Sequence, residues 1–117
     1  MPFRRTLLAL TTATCLTVAC SQKRYVEFTL KNNSGEELAT LEVDYPGGSF
    51  GKTKIAPGEI YHYRFKSLHD GPMKLSFENA QHKMLESSGP NWRENRSGQI
   101  DVTIGASSHI DWQSRAE

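Results

Sequence analysis

Four histidines, two cysteines and one tryptophan-centred polar segment hold the side chains able to bind or react. His109-Ile110-Asp111 sets an imidazole and a carboxylate two positions apart. On a strand that spacing is one face, which suits two ligands of a metal ion. His69-Asp70 is adjacent in a turn, and His62 and His82 stand apart. Structural zinc sites draw on tight cysteine or histidine pairs, and the histidines here lack that spacing. No metal and no cofactor are therefore expected, with His109 and Asp111 as the pair a metal-binding alternative would use.

The segment from Ser87 to Gln99 is the most unusual in the chain. It sets Trp92 among Asn91, Arg93, Asn95 and Arg96. Aromatic and arginine side chains dominate interface energetics, so this group suits stacking on a sugar ring or anchoring a protein. The alternative is that the indole folds back over the open end of the domain, its N–H on a carbonyl. Gly47-Gly48-Ser49-Phe50-Gly51 reads as a wide hairpin loop, because it lies between strands and no helix follows it as a phosphate loop requires. Should the two loops meet, Trp92, Arg93, Arg96 and Phe50 form the candidate partner-binding surface, for a protein or a glycan. No catalytic constellation is assigned, and the chain is expected not to be an enzyme.

Short, alternating segments must position these residues. Breakers recur at Asn33-Ser34-Gly35, Pro46-Gly47-Gly48, Pro57-Gly58, Gly71-Pro72, Gly89-Pro90, Gly98 and Gly105, leaving room for strands but hardly for a three-turn helix. Val26, Phe28 and Leu30 alternate with polar neighbours, as do Ala39, Leu41, Val43 and Tyr45. Tyr61, Tyr63 and Phe65 share one face, with His62, Arg64 and Lys66 on the other, so aromatics and cations do not form a mixed nucleic-acid platform. Met73, Leu75 and Phe77, then Ile100, Val102 and Ile104, continue the period of two, and Ile110 with Trp112 closes a last hairpin. Phe50 to Ile55 is a weaker strand, and Lys83 to Glu86 a short one. The expectation is an all-β fold, a small antiparallel β-sandwich of immunoglobulin-like kind with seven or eight short strands. A small open barrel is the competitor.

The first twenty residues differ from the rest. Arg4 and Arg5 precede an uncharged run from Thr6 to Ala19, about the length of a signal-peptide core. That run is shorter than the ~20 residues a stable transmembrane helix needs. Its end, Leu16-Thr17-Val18-Ala19-Cys20, resembles the lipobox of bacterial lipoproteins. The resemblance implies a diacylglyceryl group on the Cys20 sulfur and cleavage after Ala19, with Thr17 a departure from the leucine most often found there. Cys15, preceded by Thr14, fits the pattern less well. Several acyl chains together give stable membrane retention where one gives only marginal binding.

The expected organisation is then a signal peptide over 1–19, a lipidated cysteine and short tether over 20–24, and a β-sandwich domain over 25–117. Processing leaves 98 residues and removes Arg4 and Arg5, turning the net charge of +1 into −1. It also leaves no cysteine pair for a disulfide, so the core alone must hold the domain. Near-neutral charge and export argue against a nucleic-acid partner. Ser21, where an aspartate tends to retain lipoproteins in the inner membrane, implies the periplasmic leaflet of the outer membrane, or the outer face of a single-membrane cell. Asn32-Asn33-Ser34 and Asn95-Arg96-Ser97 match glycosylation sequons, a match given no weight in a bacterial lipoprotein.

Overall fold

The computed structural model describes residues 24–117; the lipobox and the signal segment lie outside the described residues. Among the described residues there are eight strands: β1 (Val26–Asn32), β2 (Leu38–Tyr45), β3 (Gly48–Ile55), β4 (Ile60–Phe65), β5 (Gly71–Glu78), β6 (Met84–Trp92), β7 (Gly98–Ile104) and β8 (Ile110–Ala116). They form two four-stranded sheets, in the orders β4-β1-β7-β8 and β3-β2-β5-β6. An immunoglobulin constant domain divides seven strands as ABED and CFG; this chain divides eight as four and four. The β-sandwich expected from the alternation is what the chain forms.

The central strands carry the strictest alternation because both their neighbours and the facing sheet bury one side. Val26, Phe28 and Leu30 of β1, and Ile100, Val102 and Ile104 of β7, pack against Leu41 and Val43 of β2 and Met73, Leu75 and Phe77 of β5 in one core. Three of the four outer strands, β3, β6 and β8, have weaker patterns and carry Lys52, Lys54, Pro90 and Arg115, residues that discourage edge-to-edge pairing.

One pair departs from the antiparallel expectation: β1 and β7 run parallel, Val26 opposite Gly98 and Asn32 opposite Ile104. Both strands start at the same end of the sandwich, β1 from Arg24 and β7 from the 93–97 loop that crosses between sheets. Two boundaries also differ. Gly48 to Ile55 is strand, and the hairpin turn before it is only Pro46-Gly47, not a wide loop. Likewise, the short strand expected at Lys83 to Glu86 continues as far as Trp92. It does so through a bulge, where Pro72 and Lys74 of β5 face Asn91 and Ser88 of β6. Such a bulge absorbs Gly89-Pro90, the breaker that reads as the start of a loop. A second bulge at Ala39/Glu42 reorients β2, with Thr40 at φ 52°.

Each open flank of the sandwich has its own closure. On one side the Trp112 indole donates to Ser87 Oγ at 2.9 Å, and its ring lies over Gly89, where a Cβ would come within 2.6 Å of it. On the other, the Tyr61 hydroxyl of β4 donates to the Gly51 carbonyl of β3 at 3.1 Å. The Pro57-Gly58 breaker forms a type II turn between β3 and β4, with Glu59 N–H donating to Ala56 O at 3.0 Å and Gly58 at φ +82°.

Candidate functional site

The sequence-predicted residues are distributed over both ends and one flank. Trp92 closes β6 with its side chain inward, 4% exposed, and its indole N–H donates to the Arg96 carbonyl at 2.8 Å. This arrangement caps the end of the core, and it presents no ring face to a partner. Arg93 and Arg96 are exposed. Phe50 is buried on β3, at the opposite edge of its sheet from β6. Three strand spacings of ~4.8 Å put it about 14 Å from Trp92 across the sheet, so the two do not share a surface.

The two loops are instead each tied to a third segment at the same end of the sandwich. Leu68 N–H donates to Pro46 O at 2.9 Å, and Asn95 N–H to Ser67 O at 2.9 Å, tying the 46–47 turn and the 93–97 loop to the 66–70 segment. His109 and Asp111 are both exposed at the far end and on edge strand β8. Among the described residues no three His, Cys, Asp or Glu side chains gather as a metal site would require.

Gly47 to Gly51 also spells Gly-x-Ser-x-Gly, and Ser49 to Lys52 spells Ser-x-x-Lys, neither of which a loop reading uses. A nucleophile elbow is a sharp strand-to-helix turn. Ser49 instead lies in β3 opposite Asp44, and Lys52-Thr53 continue the same strand. The motif's spacing is present without its geometry.

What the sequence does not single out is the aromatic seam where β3 and β4 face each other. Phe50 stacks on Tyr63 at 4.1 Å between centroids and an interplanar angle of 14°, and meets Phe28 edge-on at 5.1 Å. Tyr45 stacks on Phe65 at 4.3 Å, and Tyr61 tilts against both Tyr63 and Phe50. Offset and edge-to-face pairs of this kind contribute roughly 0.5–1.5 kcal/mol each beyond burial. Tyr63 remains 40% exposed at the rim. The signal in the sequence is the Tyr61, Tyr63, Phe65 face; its partner Phe50 comes from a segment that reads as loop.

The seam's polar border is ordered. Lys52 Nζ lies 2.9 Å from Glu59 Oε2 and 5.9 Å from the Tyr61 ring centroid. The hydrogen bond from Lys52, then that from the Ala56 N–H, hold the Glu59 carboxyl below its ordinary 4.5. Burial, then neighbouring Tyr63, push the Tyr61 hydroxyl above its ordinary 10.0. Because the folded state lowers the Glu59 pKa, the contribution of this contact is present above the unfolded value and fades as pH falls through the folded one. A carboxyl-carbon NMR titration should place Glu59 below 4.5, and Lys52→Met should move it upward. A midpoint at or above 4.5 in the parent contradicts the contact.

No family model matches the chain, and no curated protein matches it. Among solved structures, the NMR structure of a protein from Eubacterium rectale is similar, with a TM-score of 0.57 over 82% of this chain and 93% of that one. The two are 7% identical. The likeness is one of fold.

Proposed function

We propose that this chain is a bacterial lipoprotein, anchored in the cell envelope through Cys20, whose sandwich binds an envelope partner, protein or glycan, without catalysing a reaction. The Leu16 to Cys20 lipobox supports the anchor, and the periplasmic leaflet of the outer membrane is the favoured address. The observation that carries the binding role is the seam: a stacked Phe50–Tyr63 pair at an open flank, with Tyr63 half in solvent. A ring so placed is already immobilised by its neighbour, so a partner that covers it loses little further side-chain freedom. Surface complementarity of this sort needs no cofactor, and the partner is not a nucleic acid.

The test has two arms. Cys20→Ser should abolish labelling by an alkyne fatty acid and release the chain from the membrane fraction. Normal fractionation of that variant would remove the anchor. A photocrosslinking residue at Tyr63 should capture one defined envelope partner in living cells, and Tyr63→Ala should lose it while the fold is retained. Capture that is equally strong from a crosslinker at Met84, exposed on β6 at the opposite flank and in the other sheet, would remove the seam as the contact.

A further inference from the structure

The end of the sandwich nearest the tether gathers cations that the fold does not use. Arg24, Arg93 and Arg96 surround a depression of about 540 Å³ that Glu94 and Glu117 also line. Among the described residues none of the three guanidiniums forms an ion pair or a side-chain hydrogen bond, whereas Arg64 is engaged with Glu27 at 2.8 Å. The 93–97 loop is pinned through its backbone, the Glu94 N–H donating to Asp70 Oδ1 at 2.8 Å. Beside the depression stand two large apolar side chains in solvent, Leu68 at 53% and Tyr25 at 48% exposed. Three guanidiniums with no ion-pair partner among the described residues, beside an exposed leucine and tyrosine, match a bilayer interface. There arginines meet phosphates, and amphipathic rings sit at headgroup level.

The chain length outside the described residues says which surface reaches this end. Cys20 and Arg24 are four residues apart, so the tether spans at most about 14 Å when fully extended. Tyr25 is held in place, its carbonyl accepting from Gly98 N–H at 3.4 Å. An acyl chain on Cys20 therefore keeps this end, and not the opposite one about 25 Å along the strands, against the leaflet.

We infer that the Arg24–Arg93–Arg96 depression, with Leu68 beside it, is a docking surface for the phospholipid headgroups of the leaflet that holds the anchor. The inference rests on the lipidation of Cys20 proposed above. It assigns Arg93 and Arg96 to lipid phosphate and turns the 33–37, 79–83 and 105–109 loops away from the membrane. The aromatic seam, on a flank between the two ends, stays open to the periplasm.

The test uses the full chain, processed and acylated in a bacterial host, in vesicles of phosphatidylethanolamine with a minority of phosphatidylglycerol. A fluorophore is placed through His69→Cys or, at the far end, Gln81→Cys, and nitroxide-headgroup lipid is the quencher. Quenching is expected at position 69 and not at 81. Arg93→Gln with Arg96→Gln should lower the docked population by about fivefold per arginine, while the acyl chains keep the protein on the vesicle. Equal quenching at 69 and 81 in the vesicle-bound parent overturns the docking surface and leaves the anchor standing. A chain whose mass shows no acyl group, and which does not float with vesicles, overturns both.

Discussion

Replacing Trp92 with alanine should destabilise the sandwich by about 3–5 kcal/mol, the usual cost of emptying a buried tryptophan site. For a domain of this size that is a fall in Tm of more than about 12 °C. Two contacts make the effect large. The ring fills the end of the core beside Gly98, where any Cβ would approach its Cζ2 to 2.8 Å, and the indole N–H satisfies the Arg96 carbonyl. Trp92→Phe keeps most of the volume and loses the hydrogen bond, so it should cost only about 1–2 kcal/mol. Thermal melts of the two variants decide the matter, since an exposed aromatic would change stability by no more than ~0.5 kcal/mol. A Trp92→Ala protein melting within two or three degrees of the parent would mean that the ring is not part of the core.

The second large effect belongs to Asn32, the fully buried polar residue that ends β1. Its amide nitrogen lies 2.7 Å from Glu36 O, 3.1 Å from Ile55 O and 3.1 Å from Ala56 O. Its Oδ1 accepts from the Ser34 N–H at 3.1 Å and from the Ser34 hydroxyl at 2.6 Å. One side chain thus joins the loop after β1 to the turn between β3 and β4, bridging the two sheets. Asn32→Ala leaves several of these groups buried without partners, at about 1–3 kcal/mol each, so a total near 3 kcal/mol is expected in urea unfolding.

Asn32→Asp is the sharper test. It keeps the acceptor and removes the donor, setting a carboxyl against carbonyl oxygens. Burial then raises its folded pKa above the unfolded value of about 3.9, so the variant should lose stability as pH rises from about 4 toward 7. A pH-independent deficit would contradict the geometry. The same burial explains why the Asn32-Asn33-Ser34 sequon marks no accessible acceptor in the folded domain.

Fold and site were legible to different degrees, and for different reasons. Strands with one buried face announce themselves, as Val26-Phe28-Leu30 and Met73-Leu75-Phe77 do, because the pleat repeats every two residues. Edge strands do so less completely, since only part of each is covered. The start of β3 reads as a glycine-rich loop, with only Phe50 to Ile55 a weaker strand, and β6 reads as ending at Glu86, before a Gly-Pro pair that a bulge accommodates. Trp92 shows the same limit from the site's side. A tryptophan among arginines has the composition of an interface, and only the inward direction of the last β6 side chain makes it a cap.

The sequence by itself determined the class of fold, from period-two alternation broken at short intervals, and it holds the lipobox residues on which the anchoring proposal rests. Both are local: alternation and a run of five residues can be read without knowing what lies across the molecule. Tertiary structure alone decided the parallel β1–β7 pair, the stacking of Phe50 on Tyr63, the reach of Asn32 to the Ile55 and Ala56 carbonyls and the gathering of Arg24 with Arg93 and Arg96. Each joins residues far apart in the chain. Such pairs are set by how two twisted sheets face each other, and no spacing along one strand encodes that.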